Sequence, residues 1–209
     1  MYKTVREVTE NAERLNMTIG AFNMHNLEML PDMIRAAKEM GSPIIIQTSI
    51  DTAKYIGYNV IVAVVKELAN SMLVDVALHL DHAKDFDAIK DAIEAGYSSV
   101  MFDGSSLPFK ENIEKTRLVV EFAHARGVSV EGELGTIGGT EEGISVSEED
   151  KEYTRPADAV TFVRETGVDV LAVGIGTNHG QFKSKTNVKI PLLKEIHGRP
   201  YRYRARDGG

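Results

Sequence analysis

The sequence predicts an α/β fold of the (β/α) barrel type, and three observations point there. Short β-branched runs alternate with longer helical patterns, the signature of stacked βα units. Glycines at 41, 96 and 127 stop the helical patterns just before the next apolar run begins. Polar or ionisable residues recur where the strands end, and in parallel barrels the chemistry gathers at the C-terminal ends of the strands.

The elements follow in order. Ile19–Phe22 reads as a first strand, after which Leu27, Leu30, Ile34 and Ala37 recur at helical spacing until Gly41-Ser42-Pro43. Ile44–Ile46 is a second strand, followed by a helix around Val60 to Ala69. Val74–Leu80 is a third strand, and Phe86, Ile89 and Ile93 mark a helix that Gly96 ends. Ser98–Phe102 is a fourth strand, with a helix from about Glu111 to Ala125. Val128–Glu133 is a fifth, and a long Gly- and Glu-rich loop follows it. A helix starts at Pro156, Val170–Val173 is a sixth strand, and a last helix runs near Pro191 to Ile196. About six βα units result. Residues 1–200 read as one domain, and Tyr201 to Gly209 lack apolar periodicity and read as a disordered tail.

Composition narrows the function classes. The 209 residues suit one well-buried domain, and the net charge of -7 argues against a nucleic-acid-binding surface. With no cysteine, a disulfide scaffold, a thiol nucleophile and a Cys-based zinc finger are excluded. The N-terminus is too polar for a signal peptide, and no apolar stretch is long enough to span a membrane, so a cytoplasmic protein is expected. No strand is followed by the dinucleotide fingerprint G-x-G-x-x-G, and the glycine-rich loop lacks the Gly-Lys-Ser/Thr of a P-loop.

The strand ends carry Asn23, then Gln47 and Ser49, then Asp81-His82, Asp103, Glu131 and Glu133, and His179. An aspartate after a strand is commonly just a helix N-cap. Polar groups at the same end of all six strands read instead as one site. His82 and His179 occupy equivalent strand ends, and neutral imidazole suits Zn²⁺ or a similar ion. Asp81 beside His82 is placed for proton transfer to a substrate held there. His25, His79, His124 and His197 read as structural. The loop Gly135 to Gly143 carries Glu141 and Glu142, and its glycines suit a lid that brings a carboxylate to the site.

These residues together resemble the class II, metal-dependent ketose-bisphosphate aldolases, on the fructose- and tagatose-bisphosphate branch. The resemblance rests on Ala21-Phe22-Asn23-Met24-His25-Asn26, His79-Leu80-Asp81-His82, Ser99-Val100-Met101-Phe102-Asp103, Val130-Glu131-Gly132-Glu133-Leu134-Gly135, Gly138-Gly139-Thr140-Glu141-Glu142 and Gly176-Thr177-Asn178-His179-Gly180. It implies a TIM (β/α)8 barrel, zinc as cofactor with a possible second divalent or monovalent cation, and a homodimer or homotetramer. His82 and His179 would be ligands of the catalytic zinc, with Asp103 and Glu133 at positions tied to a second cation or alternative metal position. Asp81 would be the acid/base at the hydroxyl of the bond made or broken. Glu141 would move a proton at the nucleophilic carbon. Gly180 would contact the ketone's phosphate with Lys183 nearby, and Asn23 and Ser49 would touch the phosphorylated sugar. The products would be dihydroxyacetone phosphate and glyceraldehyde 3-phosphate.

The family barrel has eight strands and a third histidine ligand in a glycine-rich strand-seven motif. Neither that motif nor strands seven and eight are recognisable here, and His197-Gly198 trails a helical pattern. The expectation is a C-terminally truncated framework that binds metal and phosphate weakly by itself. A non-catalytic remnant or partner subunit is the alternative, and a barrel enzyme using the carboxylates with Mg²⁺ is a third reading.

Overall fold

The computed structural model describes residues 1–135, 138–141, 144–146, 153–179 and 187–199, and the chain divides into two compact units. The first unit is Met1–Asp103 with Leu118–Glu131; the second is Gly104–Arg117 with Gly132–Gly209.

The first unit opens with a short strand β1 (Tyr2–Lys3) and a helix α1 (Val5–Arg14) that the apolar periodicity alone did not predict. The helix starts on a capping box. The Thr4 hydroxyl accepts from the Glu7 N–H at 3.1 Å, and the Glu7 carboxylate accepts from the Thr4 N–H at 2.8 Å. Val5, Val8 and Ala12 form its buried stripe. Four further strands follow: β2 (Ala21–Asn23), β3 (Ile44–Thr48), β4 (Val76–Ala83) and β5 (Ser99–Phe102). Between them come α2 (Leu30–Met40), α3 (Ile50–Ile56), α4 (Tyr58–Met72) and α5 (Phe86–Ala95).

Strands β2, β3, β4 and β5 lie side by side in chain order and pair in parallel, and β1 joins β4. Ile44, Ile45 and Ile46 are consecutive and all buried, as are Val76, Ala77 and Leu78. A strand apolar on both faces belongs inside a parallel sheet covered on both sides, which explains runs without polar alternation. Ile34, Ile61, Val65, Leu78, Leu80, Ile89 and Val100 are fully buried in this unit's core.

Helix α6 (Phe109–His124) and strand β6 (Ser129–Leu134) each contribute to both units. In the first unit the Ser129 N–H donates to the Ser98 carbonyl at 3.2 Å. The second unit holds β7 (Gly138–Glu141), β8 (Ile144–Val146), α7 (Pro156–Thr166), β9 (Val170–Val173), β10 (Asn178–His179) and α8 (Ile190–His197). Its part of β6 neighbours β9, and the Gly174 N–H donates to the Leu134 carbonyl at 3.0 Å.

Gly132 answers a packing demand. A Cβ there would stand 2.8 Å from Phe162 Cε1, and Phe162 is fully buried. By strand alternation Glu131 and Glu133 share the opposite face, so the Glu-Gly-Glu sequence serves the core on one side and a polar face on the other.

Two sequence expectations need correction. The segment read as a long loop contains β7 and β8, paired antiparallel with Glu141 opposite Ile144; the alternating Ile144-Ser145-Val146 is a strand pattern in itself. β10 pairs in parallel with β7 in this second sheet. The third predicted strand does not stop at Leu80 but runs on through Asp81 and His82 to Ala83. The predicted tail at 201–209 lies outside the described residues.

Candidate active site and metal centre

The site begins with an irregularity in β4. His79 pairs with Ser99 and Leu80 with Val100, but the next pairing is Ala83 with Phe102. Two residues, Asp81 and His82, therefore face one residue of β5, which is a β-bulge. His82 takes φ +48°, a left-handed conformation uncommon for a residue with a side chain. The bulge lets two adjacent side chains serve one site by reaching to different neighbouring strands.

Asp81 is buried and reaches toward β3 and β2. Its Oδ1 accepts from Gln47 Nε2 at 3.0 Å and its Oδ2 from Asn23 Nδ2 at 2.9 Å. A carboxylate can only accept, so both amides must turn their nitrogens toward it. Each oxygen retains a second lone pair, and the carboxylate is held at a fixed tilt.

His82 reaches toward the end of β5. Its Nδ1 lies 3.3 Å from Oδ2 of the buried Asp103. Asp103 is fixed through its own backbone, whose N–H donates to the Ala83 carbonyl at 2.9 Å. The ammonium of Lys84, two residues past His82, stands 3.7 Å from the same Asp103 Oδ2. Imidazole nitrogen and carboxylate oxygen held this close form a donor set that suits Zn²⁺ or a related divalent ion, so these two residues fit a metal.

Beside them is a polar pair, the buried His79 and the half-buried Glu131, of which the sequence singled out only Glu131, as a strand-end group. His79 is almost wholly buried, with Nδ1 2.8 Å from Ser99 Oγ and Nε2 3.4 Å from Glu131 Oε2. Burial pushes the His79 imidazole down to about 4. Burial pushes the Glu131 carboxyl up to about 7; the Asp81 charge adds to the rise and His82 opposes it. Burial thus disfavours the charged form of each member of the pair. Gln47 and Glu131 were legible as polar strand ends, but their partners were not.

The other expected site residues are placed as follows. Ser49 is buried and caps α3, its hydroxyl accepting from the Thr52 N–H at 3.2 Å. Glu133 is buried on β6, and its carbonyl accepts from Asn112 Nδ2 at 2.9 Å. His179 lies on β10 opposite Gly139, and Glu141 ends β7; both side chains lie outside the described residues. Gly180 and Lys183 lie outside them altogether. The described contacts bring Asn23, Asp81, His82 and Asp103 together in one unit. His197, read as structural, ends α8 and is exposed.

A strand-end aspartate–histidine pair beside a second aspartate suits several barrel enzymes, and comparison with known proteins decides among them. The family model for class-II fructose-bisphosphate aldolase matches residues 3–201. The chain belongs to this family. Class II aldolases are carbon–carbon lyases. Among its relatives, a fructose-bisphosphate aldolase of Helicobacter pylori is 44% identical over 193 residues, covering 91% of this chain and 63% of that protein. A sulfofructosephosphate aldolase of Alkalicoccus urumqiensis is 40% identical over 195 residues, covering 93% of this chain and 68% of that one. The solved YdjI aldolase of Escherichia coli K12 superposes with a TM-score of 0.80 at 32% identity, over 94% of this chain and 69% of its own. The Campylobacter jejuni fructose-bisphosphate aldolase gives 0.77 at 26% identity, over 93% and 64%. The chain thus has the (β/α)8 barrel type of fold, with about six βα units among the described residues, and spans about two thirds of its relatives' length. No helix among the described residues is long and apolar enough to cross a membrane.

Proposed function

We propose that the chain is a metal-dependent aldolase that cleaves and re-forms a ketose 1,6-bisphosphate, with fructose or tagatose as the sugar. The observation that carries this reading is the bulge of β4, which holds Asp81 on two amide donors while turning the adjacent His82 toward Asp103. Membership in the aldolase family and the fructose-bisphosphate aldolase name of a close relative support it.

His82 and His179 would hold the catalytic ion, as the family resemblance implies, with Asp103, beside His82, and Glu133 serving an alternative position of the metal or a second cation, and zinc is the metal proposed. When bound, the ion supplies Lewis-acid stabilisation for the negative charge that develops at the ketone oxygen. In cleavage, Asp81 takes the proton of the hydroxyl on the departing carbon. That oxygen becomes the aldehyde carbonyl, and the electron pair of the broken bond stays with the ketone fragment. Glu141 then delivers a proton to that fragment's carbon, giving dihydroxyacetone phosphate. Condensation runs the same transfers in reverse. Gly180, Lys183 and Ser49 are assigned to the phosphorylated sugar. A cytoplasmic homo-oligomer is the expected setting.

The test is direct. The metal-loaded chain is mixed with fructose 1,6-bisphosphate, tagatose 1,6-bisphosphate or sulfofructose 1-phosphate, and release of dihydroxyacetone phosphate is followed. Chelator-sensitive release from a bisphosphate is expected. Release only from the sulfonated sugar would reassign the substrate, and no release from any of them would favour a non-catalytic remnant.

A further inference from the structure

Asp103 carries two positive or potentially positive neighbours on one oxygen, and the metal reading uses only one of them. Oδ2 faces His82 Nδ1 at 3.3 Å and Lys84 Nζ at 3.7 Å. We propose that Lys84 is a positioning residue of the metal centre: its tethered ammonium is the cation that a divalent ion must displace from Asp103, and it thereby sets metal affinity. This rests on reading His82 and Asp103 as metal ligands.

The argument starts from the strand. His82 lies in the bulge and Lys84 just past the end of β4, and both side chains reach the Asp103 carboxylate, whose own backbone N–H is tied to the Ala83 carbonyl. Asp103 is only 7% exposed, and a carboxylate that buried needs a compensating charge or strong donors. Lys84, at 39% exposure, brings its ammonium to within 3.7 Å of that carboxylate while remaining open to water. A lysine ammonium is a compact monovalent charge on a flexible stem. It neutralises Asp103 while no divalent ion is present, and it can swing outward into water when one arrives.

Two consequences follow from charge alone. An entering divalent ion meets an ammonium a few ångströms away, and it competes with that ammonium for Asp103 Oδ2. Screening by water at a partly exposed position limits the penalty to about tenfold in affinity. The ammonium also keeps the pair His82–Asp103 poised, because the carboxylate never lacks a positive partner.

The experiment titrates Zn²⁺ and Co²⁺ into the metal-free chain by calorimetry, with the Co²⁺ visible spectrum as a second readout. The wild type is compared with Lys84→Met, Lys84→Arg and Asp103→Asn, alone and combined with Lys84→Met, after circular dichroism shows each to be folded. Lys84→Met should tighten metal binding about tenfold, and Lys84→Arg should stay within about twofold of the wild type. The gain from Lys84→Met should shrink in the Asp103→Asn background, since the ammonium is no longer drawn to the site. Unchanged or weaker binding by Lys84→Met overturns this inference while leaving the aldolase reading intact. Failure of both wild type and Lys84→Met to bind either ion overturns both.

Discussion

Asp81 and His82 show how one residue's conformation can decide a site. In a regular strand, neighbours project to opposite faces, so the sequence Asp81-His82 alone places only one of them in any cleft. The bulge and the φ of +48° at His82 remove that restriction. No residue type in the sequence announces the bulge, because histidine is not a turn former; only its outcome, two functional groups side by side, is visible. The amide clamp on Asp81 leads to a first prediction. Asn23→Ala or Gln47→Leu should lower the cleavage rate about 10- to 100-fold with little change in KM, because orientation of the acid/base is lost rather than substrate contact. Steady-state kinetics on each variant checks this; an increase in KM alone would return Asn23 to a substrate-contact role.

His79 leads to a second prediction at the same scale. Its folded pKa, near 4, lies below the ordinary histidine value of 6.5. Below pH 6.5 the unfolded chain binds a proton that the folded chain refuses, so stability falls as pH drops from 6.5 toward 4. Above 6.5 this contribution is complete and flat. His79→Gln removes the titrating ring, so urea unfolding should show a shallower loss across that window than in the wild type. The difference is expected to be on the order of 1–3 kcal/mol. Equal slopes would contradict the burial account.

At the scale of elements, apolar periodicity located most helices and six of the strands, because burial leaves a 3.6- or continuous-apolar imprint. Helix α1 escaped that reading since its signal is a cap: Thr4 and Glu7 at i and i+3. Thr4→Ala should lower stability by about 1 kcal/mol, measured by thermal or denaturant unfolding. β7 and β8 escaped because glycine and glutamate dominate the segment and hide a short alternating run. Gly132 gives a sharper test of packing. Gly132→Ala drives a methyl against Phe162 and should destabilise the chain by about 1–3 kcal/mol, whereas Gly132→Ala with Phe162→Leu should recover part of that loss.

For the whole molecule, fold class and family were legible in the sequence because the motifs fall at successive strand ends in a fixed order. The aspartate–histidine pair after Leu80, Asp103 after Phe102, and Glu131 and Glu133 on β6 carry that information. What could not be read is which groups are paired: Asn23 with Asp81, Lys84 with Asp103, and His79 with Glu131 are contacts between residues 19 to 58 apart in sequence. Spacing along one strand does not encode its partners on the next. The substrate is equally silent, since relatives of similar identity bear the names of fructose-bisphosphate and sulfofructosephosphate aldolases.

The central claim is that Asp81 moves the hydroxyl proton in a metal-dependent aldol cleavage. It is tested most directly by comparing the wild type with Asp81→Asn, both saturated with Zn²⁺, in turnover of the ketose 1,6-bisphosphate that the wild type cleaves. Asparagine preserves the size and part of the hydrogen bonding but cannot accept the proton. The account predicts a fall in kcat of about 100-fold or more with zinc still bound. Cleavage by Asp81→Asn at the wild-type rate would contradict it.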